Sequence, residues 1–274
     1  MLKYTFMQNA FIASFFIAIL CPFIGIFLVL RRYSLIGDTL SHASFAGATI
    51  GILLGFNPVL SSFIFAAISG ALIEALRVHF KEHSDLILSI VLSLSVGIVI
   101  TLISSGAVRV NAESYLFGSI LTITRKDVIT VAILSISSII ILILMYHKLI
   151  YIVLDDETSH VMGIRVRLIN YIFSVLAAAA VATALKIVGM LTLTSMIALP
   201  VAAGLQFRQG FKNTVLVSIV LSVFHIMAGL TFSFHLNVAP GGFTALLCVF
   251  SLILIIVTKK LWAIFSEKML NSKK

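Results

Sequence analysis

Residues 8–30 read QNAFIASFFIAILCPFIGIFLVL, without one charged side chain. As a helix this stretch extends about 35 Å, enough to cross the hydrocarbon core of a bilayer. Similar apolar runs follow at 36–55, 58–76, 86–104, 127–146, 168–185, 187–206, 214–234 and 241–258. They are continuous, whereas the strands of a membrane barrel alternate apolar and polar positions. The sequence therefore predicts an all-α, polytopic transmembrane helical bundle forming a single domain over 1–274. Nine spans are expected, or eight if one weak run dips in and returns. The run 114–123 (SYLFGSILTI) is too short to span and reads as a re-entrant or half helix. No small-residue cleavage site follows the first run, so a retained helix is expected there.

Composition agrees. Of 274 residues, 61% are hydrophobic and 11% charged, against about 45–50% and about 25% in soluble domains. The net charge of +9 is scattered between apolar runs. A nucleic-acid binder would gather it on one polar face, and no nucleic-acid partner is expected. Cys21 and Cys248 both lie inside apolar runs, leaving neither a disulfide framework nor a Cys-rich metal site. With nine spans and Arg31 and Arg32 placed inside, Lys3, Arg109, Arg125, Lys126 and Lys186 are the outside cations among 19 Lys and Arg. That bias predicts an outside N-terminus and an inside C-terminus.

Of the ten carboxylates, only Asp38 and Glu74 fall within apolar segments. An ionisable group there costs about 2.5–3.5 kcal/mol and calls for a partner or a function. Glu74 has Arg77 at i+3, an ion pair at a helix end. In Gly37-Asp38-Thr39-Leu40-Ser41-His42-Ala43-Ser44, Asp38 and His42 share a helix face. A carboxylate and an imidazole one turn apart make half of a four-coordinate site for a divalent metal. Two such helices facing each other would complete it. The alternative is an internal Asp–His hydrogen bond with packed hydroxyls around it.

Arg31-Arg32-Tyr33-Ser34-Leu35-Ile36-Gly37-Asp38-Thr39-Leu40-Ser41-His42-Ala43 resembles the signature of the ABC-transporter permeases for zinc, manganese and iron. The likeness continues at Ser114-Tyr115-Leu116-Phe117-Gly118-Ser119-Ile120-Leu121, at Lys186-Ile187-Val188-Gly189-Met190-Leu191, at Leu199-Pro200 and over 230–242. It implies a fold like that of the vitamin B12 and siderophore importer permeases, in a homodimer in the bacterial cytoplasmic membrane. It also implies an extracytoplasmic metal-binding solute-binding protein, two cytoplasmic ABC ATPase subunits, and Asp38 and His42 lining the metal path. Gly-Asp-Thr-Leu-Ser-His-Ala-Ser is closest to the zinc members. Many relatives carry an acid where this chain has Asn237, and His235 is the candidate to supply a transient metal contact in its place.

No G-x-x-x-x-G-K-[ST] phosphate loop occurs, so ATP is not bound in that way and the chain is not expected to be an enzyme. In the polar stretch 154–164, Asp155, Asp156 and Glu157 lead, Thr158 to Met162 follow and Gly163 can close the turn. This suits a short amphipathic helix. It resembles the loop with which such importers dock onto their ATPase. His79, His83, His147 and His160 read as solvated loop residues, and His225, inside an apolar run, is a secondary metal candidate with His235. No cofactor is implied, the metal being cargo. The rival readings are a manganese or iron importer, a proton-coupled secondary transporter titrating Asp38, and a membrane-embedded metalloenzyme. No H-E-x-x-H accompanies the last.

Overall fold

The computed structural model describes residues 3–31, 33–80, 84–108, 112–119 and 122–271. Arg32, Lys81, Glu82, His83, Arg109, Ile120 and Leu121 lie outside them. The described chain is helical throughout, with α1 Thr5–Leu30, α2 Ser34–Leu54, α3 Pro58–His79, α4 Ser84–Ser104, α5 Ala112–Leu116, α6 Arg125–Leu154, α7 Asp156–Val161, α8 Val166–Val188, α9 Met190–Gln206, α10 Phe211–Leu236 and α11 Pro240–Asn271. Each of the nine apolar runs matches one helix to within a few residues, 187–206 starting in the last residues of α8 and continuing beyond Gly189 as α9. Seven of these helices are long and apolar enough to cross a membrane. The other two are α2, which carries the polar Asp38–Ser44 stretch, and α9, which is 17 residues long.

The chain marks its own helix ends. Asn57 accepts from the Val59 and Leu60 amides, with Pro58 at the first helical position of α3. Thr124 and Asp127 form a capping box at the start of α6. The expected half helix over 114–123 is shorter than its apolar reading: α5 ends at Leu116, and Gly118, at φ 79°, turns the chain away.

Helices α1 and α8 form the buried centre, while α4, α6 and α11 lie at the rim. The small-residue run 177–184 of α8 is buried throughout, and α8 packs on α1, α2, α3 and α6. Small side chains there let backbones approach closely, which suits packing where lipid supplies no hydrophobic drive. Arg31 donates to Asn170 at 2.9 Å, and the Arg77 guanidinium lies 4.3 Å over the Tyr33 ring. These contacts gather the ends of α1 and α3 and the starts of α2 and α8 beside α7, at what we term the α7 end.

At the far end, three segments singled out in the sequence meet. Ser119 donates its amide to Lys186 O at 3.0 Å. Lys186 Nζ lies 2.7 Å from Asp127 Oδ2, the oxygen that also accepts from Thr124. Gly118 and Gly189 pass backbone to backbone, and Gly241 sits against the Val188 carbonyl. The motif glycines therefore form a junction that fixes where α9 starts.

Candidate metal path and docking helix

Asp38 and His42 lie one turn apart on α2, both half-buried in a helix whose residues from Ala43 to Thr49 are all buried. Neither side chain hydrogen-bonds to the other or to another described side chain. The neighbouring hydroxyls are spent on their own helix: Ser41 donates to Gly37 O at 2.7 Å and Thr39 to Leu35 O at 3.2 Å. Ser44 is buried, its hydroxyl without a partner among the described residues. The internal Asp–His hydrogen bond is absent, and among the described residues neither side chain has a side-chain hydrogen-bond partner, an arrangement that suits binding a cation. Helix α9 runs alongside: a Cβ on Gly37 would lie 3.6 Å from the Thr194 methyl.

Glu74 behaves as its spacing suggests. It is buried, 2.7 Å from Arg77, and accepts from Ser174 at 3.2 Å. Its charge is satisfied within the protein.

The secondary histidines are not brought to Asp38 and His42. His225 is 1% exposed in α10, which packs on α1, α9 and α11, and both ring nitrogens lack a partner among the described residues. His235 is exposed in the last turn of α10. Next to it Asn237 caps the helix at φ 54°, ψ 42°, a left-handed conformation that asparagine tolerates better than most side chains. Asn237 also lines a 310 Å³ cavity at the far end with Phe6, Gly118, Ser119 and Ser233. No group of three or more His, Cys, Asp or Glu able to hold a metal exists among the described residues. One chain thus presents two candidate ligands.

The stretch after Leu154 forms α7. Asp155 caps it, accepting from the Glu157 amide at 3.0 Å and from the Thr158 hydroxyl. Gly163, at φ 78°, turns the chain into α8. Asp156, Glu157 and His160 are exposed, as are Val161 (89%) and Met162 (62%). A 600 Å³ groove beside them is lined by His160, Gly163, Ile164, Arg165 and Tyr171. Exposed apolar side chains on a short polar helix at the end of the bundle are suited to burial against another protein.

The Thr158 hydroxyl, then the Thr158 and Glu157 amides, hold the Asp155 carboxyl below the usual carboxylate range. A depressed folded-state pKa gives stability that is present above the unfolded pKa and lost as pH falls through the folded value. Asp155→Ala should therefore speed amide exchange across α7 by about fivefold at neutral pH. The gap should close once acid protonates the wild-type carboxyl. Equal exchange at neutral pH would remove Asp155 as the cap.

The chain belongs to the ABC 3 transport family, whose model matches residues 3–260. It is 50% identical over 256 residues to a probable metal transport system membrane protein of Treponema pallidum, covering 93% of this chain and 96% of that one. It is 31% identical to the high-affinity zinc uptake system membrane protein ZnuB of Buchnera aphidicola, covering 86% and 91%. In fold it resembles PsaBC from Streptococcus pneumoniae, solved in complex with Fab. The TM-score is 0.82 at 24% identity, with 92% of this chain and 91% of that chain covered.

Proposed function

We propose that this chain is the membrane permease of an ATP-driven importer for a divalent transition metal, with zinc as its ion. The observation that carries this reading is the free Asp38–His42 pair on α2. An unpaired carboxylate inside a bundle is expensive unless a cation visits it. Two copies of the chain across a two-fold axis would supply two carboxylates and two imidazoles, a ligand set suited to tetrahedral zinc. Few and mobile ligands also suit a path that must release what it binds. Asp and His serve manganese and iron as well, so the preference for zinc rests on the likeness to ZnuB and on the Gly37–Ser44 stretch.

In this reading the α7 end is cytoplasmic, as the Lys and Arg bias favours, and the C-terminus lies inside. The loop from Asp155 to Gly163 docks on one ATPase subunit, with Val161 and Met162 entering its surface. A solute-binding protein delivers metal at the far end, near 105–113 and 235–241. ATP-driven movement of α7 then reorients the helices around Asp38 and His42.

The test is uptake into proteoliposomes holding the chain and its ATPase, with binding protein outside and zinc and manganese competing at equal concentration. ATP-dependent zinc accumulation is expected. Manganese accumulation instead would keep the mechanism and overturn the ion. Uptake with the ATPase left out, abolished by a proton ionophore, would establish the secondary-transporter reading in its place.

A further inference from the structure

A second polar site lies at the α7 end, in a 440 Å³ cavity bounded by Arg31, Tyr33, Arg77, Asp155, Asp156 and Asn170. It is where the base of the docking helix meets the corner between α1 and α2. The Arg31 guanidinium donates through Nη1 to Asn170 Oδ1 and lies 5.4 Å over the Phe173 ring. Its Nε and Nη2 are buried and have no acceptor among the described residues. Arg77, by contrast, is committed to Glu74 and stacked on Tyr33. Asp155 and Asp156 line the same cavity; burial disfavours the charged form of Arg31, and Tyr33, Glu74 and then Asp156 act against that.

Arg31 thus has two buried, unspent donor atoms; Glu74 is already committed to Arg77, and the other carboxylates at this cavity, Asp155 and Asp156, belong to the segment that moves when α7 moves. A guanidinium without its full set of acceptors is costly, and carboxylate pairing is its strongest remedy. Arg31 also caps α1 at the corner that leads into α2, where Asp38 is the fifth residue of the helix. The geometry points to Arg31 as a positioning residue that exchanges Asn170 for an α7 carboxylate, Asp156 foremost, when the docking helix is pushed inward, and so carries the ATPase stroke to α2. This rests on the importer reading above, with Arg31 touching neither metal nor ATPase.

The experiment measures metal uptake and ATP hydrolysis in the same vesicles, using the permease–ATPase complex with binding protein. Arg31→Gln should lower the metal ions imported per ATP hydrolysed by about fivefold or more, with the ATPase still co-purifying. Asp156→Asn should lower the same ratio, and Arg31→Gln combined with Asp156→Asn should be no worse than Arg31→Gln alone. The exchanged pair, Arg31→Asp with Asp156→Arg, should recover part of the loss. A merely structural Arg31 would lower uptake and hydrolysis together and leave the ratio intact, which overturns the inference. Additive single effects also overturn it. If Arg31→Gln fails to accumulate, Asp156→Asn on its exposed segment decides, an unchanged ratio being the overturning result. Wild-type vesicles without ATP-dependent uptake would instead defeat the importer reading.

Discussion

His42→Ala and Asp38→Asn each reduce ATP-dependent metal uptake by about a hundredfold or more, while the permease still enters the membrane and retains its ATPase. The size follows from ligand number. Even groups that only orient metal ligands cost ten- to a hundredfold when lost, and these two are the candidate ligands of the proposed path. The sparing of the fold follows from the structure, because neither side chain holds any described side chain by a hydrogen bond. Asp38→Asn removes a charge from α2 and keeps a polar side chain of the same size, so insertion becomes no harder. Purified Asp38→Asn protein should therefore melt no lower than wild type. Uptake retained in both variants would sink the site. A drop in melting temperature matching the drop in uptake would make the pair structural.

How far this could be read from sequence depends on whether a signal is local. The apolar runs gave the helices because hydrophobic length is local, but they missed helix that continues through polar residues. Helix α6 runs past Tyr146, His147 and Lys148 to Leu154, and α11 passes Lys259 and Lys260. The Glu74–Arg77 pair is legible because its partners are three residues apart. The Lys186–Asp127 pair is not, since 59 residues separate them and only the packing of α8 against α6 brings them together. Asp38 and His42 were visible as a face of α2. Spacing alone left the hydroxyls of Thr39 and Ser41 as neighbours of the site, whereas both turn back to their own carbonyls. Likewise nothing in the order of residues says that Gly118, Gly189 and Gly241 converge.

The second large effect belongs to that junction. Gly189→Ala should remove most folded permease from the membrane. Gly189 joins α8 to α9 at φ 85°, ψ 152°, a region essentially confined to glycine that costs other residues about 1–3 kcal/mol. Conformation is the smaller part. A Cβ there would lie 2.4 Å from the Gly118 amide nitrogen and 2.5 Å from the Phe117 carbonyl carbon, so main chain would have to move. Gly106 separates the two contributions, because it has φ 71° with nothing near its Cβ position. Gly106→Ala should cost about 1–2 kcal/mol and leave the protein folded. Levels of detergent-soluble monodisperse protein, with melting temperatures where protein is recovered, compare the two directly. The expected order is wild type, then Gly106→Ala, with Gly189→Ala far below. If Gly189→Ala matched Gly106→Ala, the close passage of Gly118 and Gly189 could not be what fixes the start of α9. The placement of Thr194 beside Gly37, and with it the wall next to Asp38, would then need another cause.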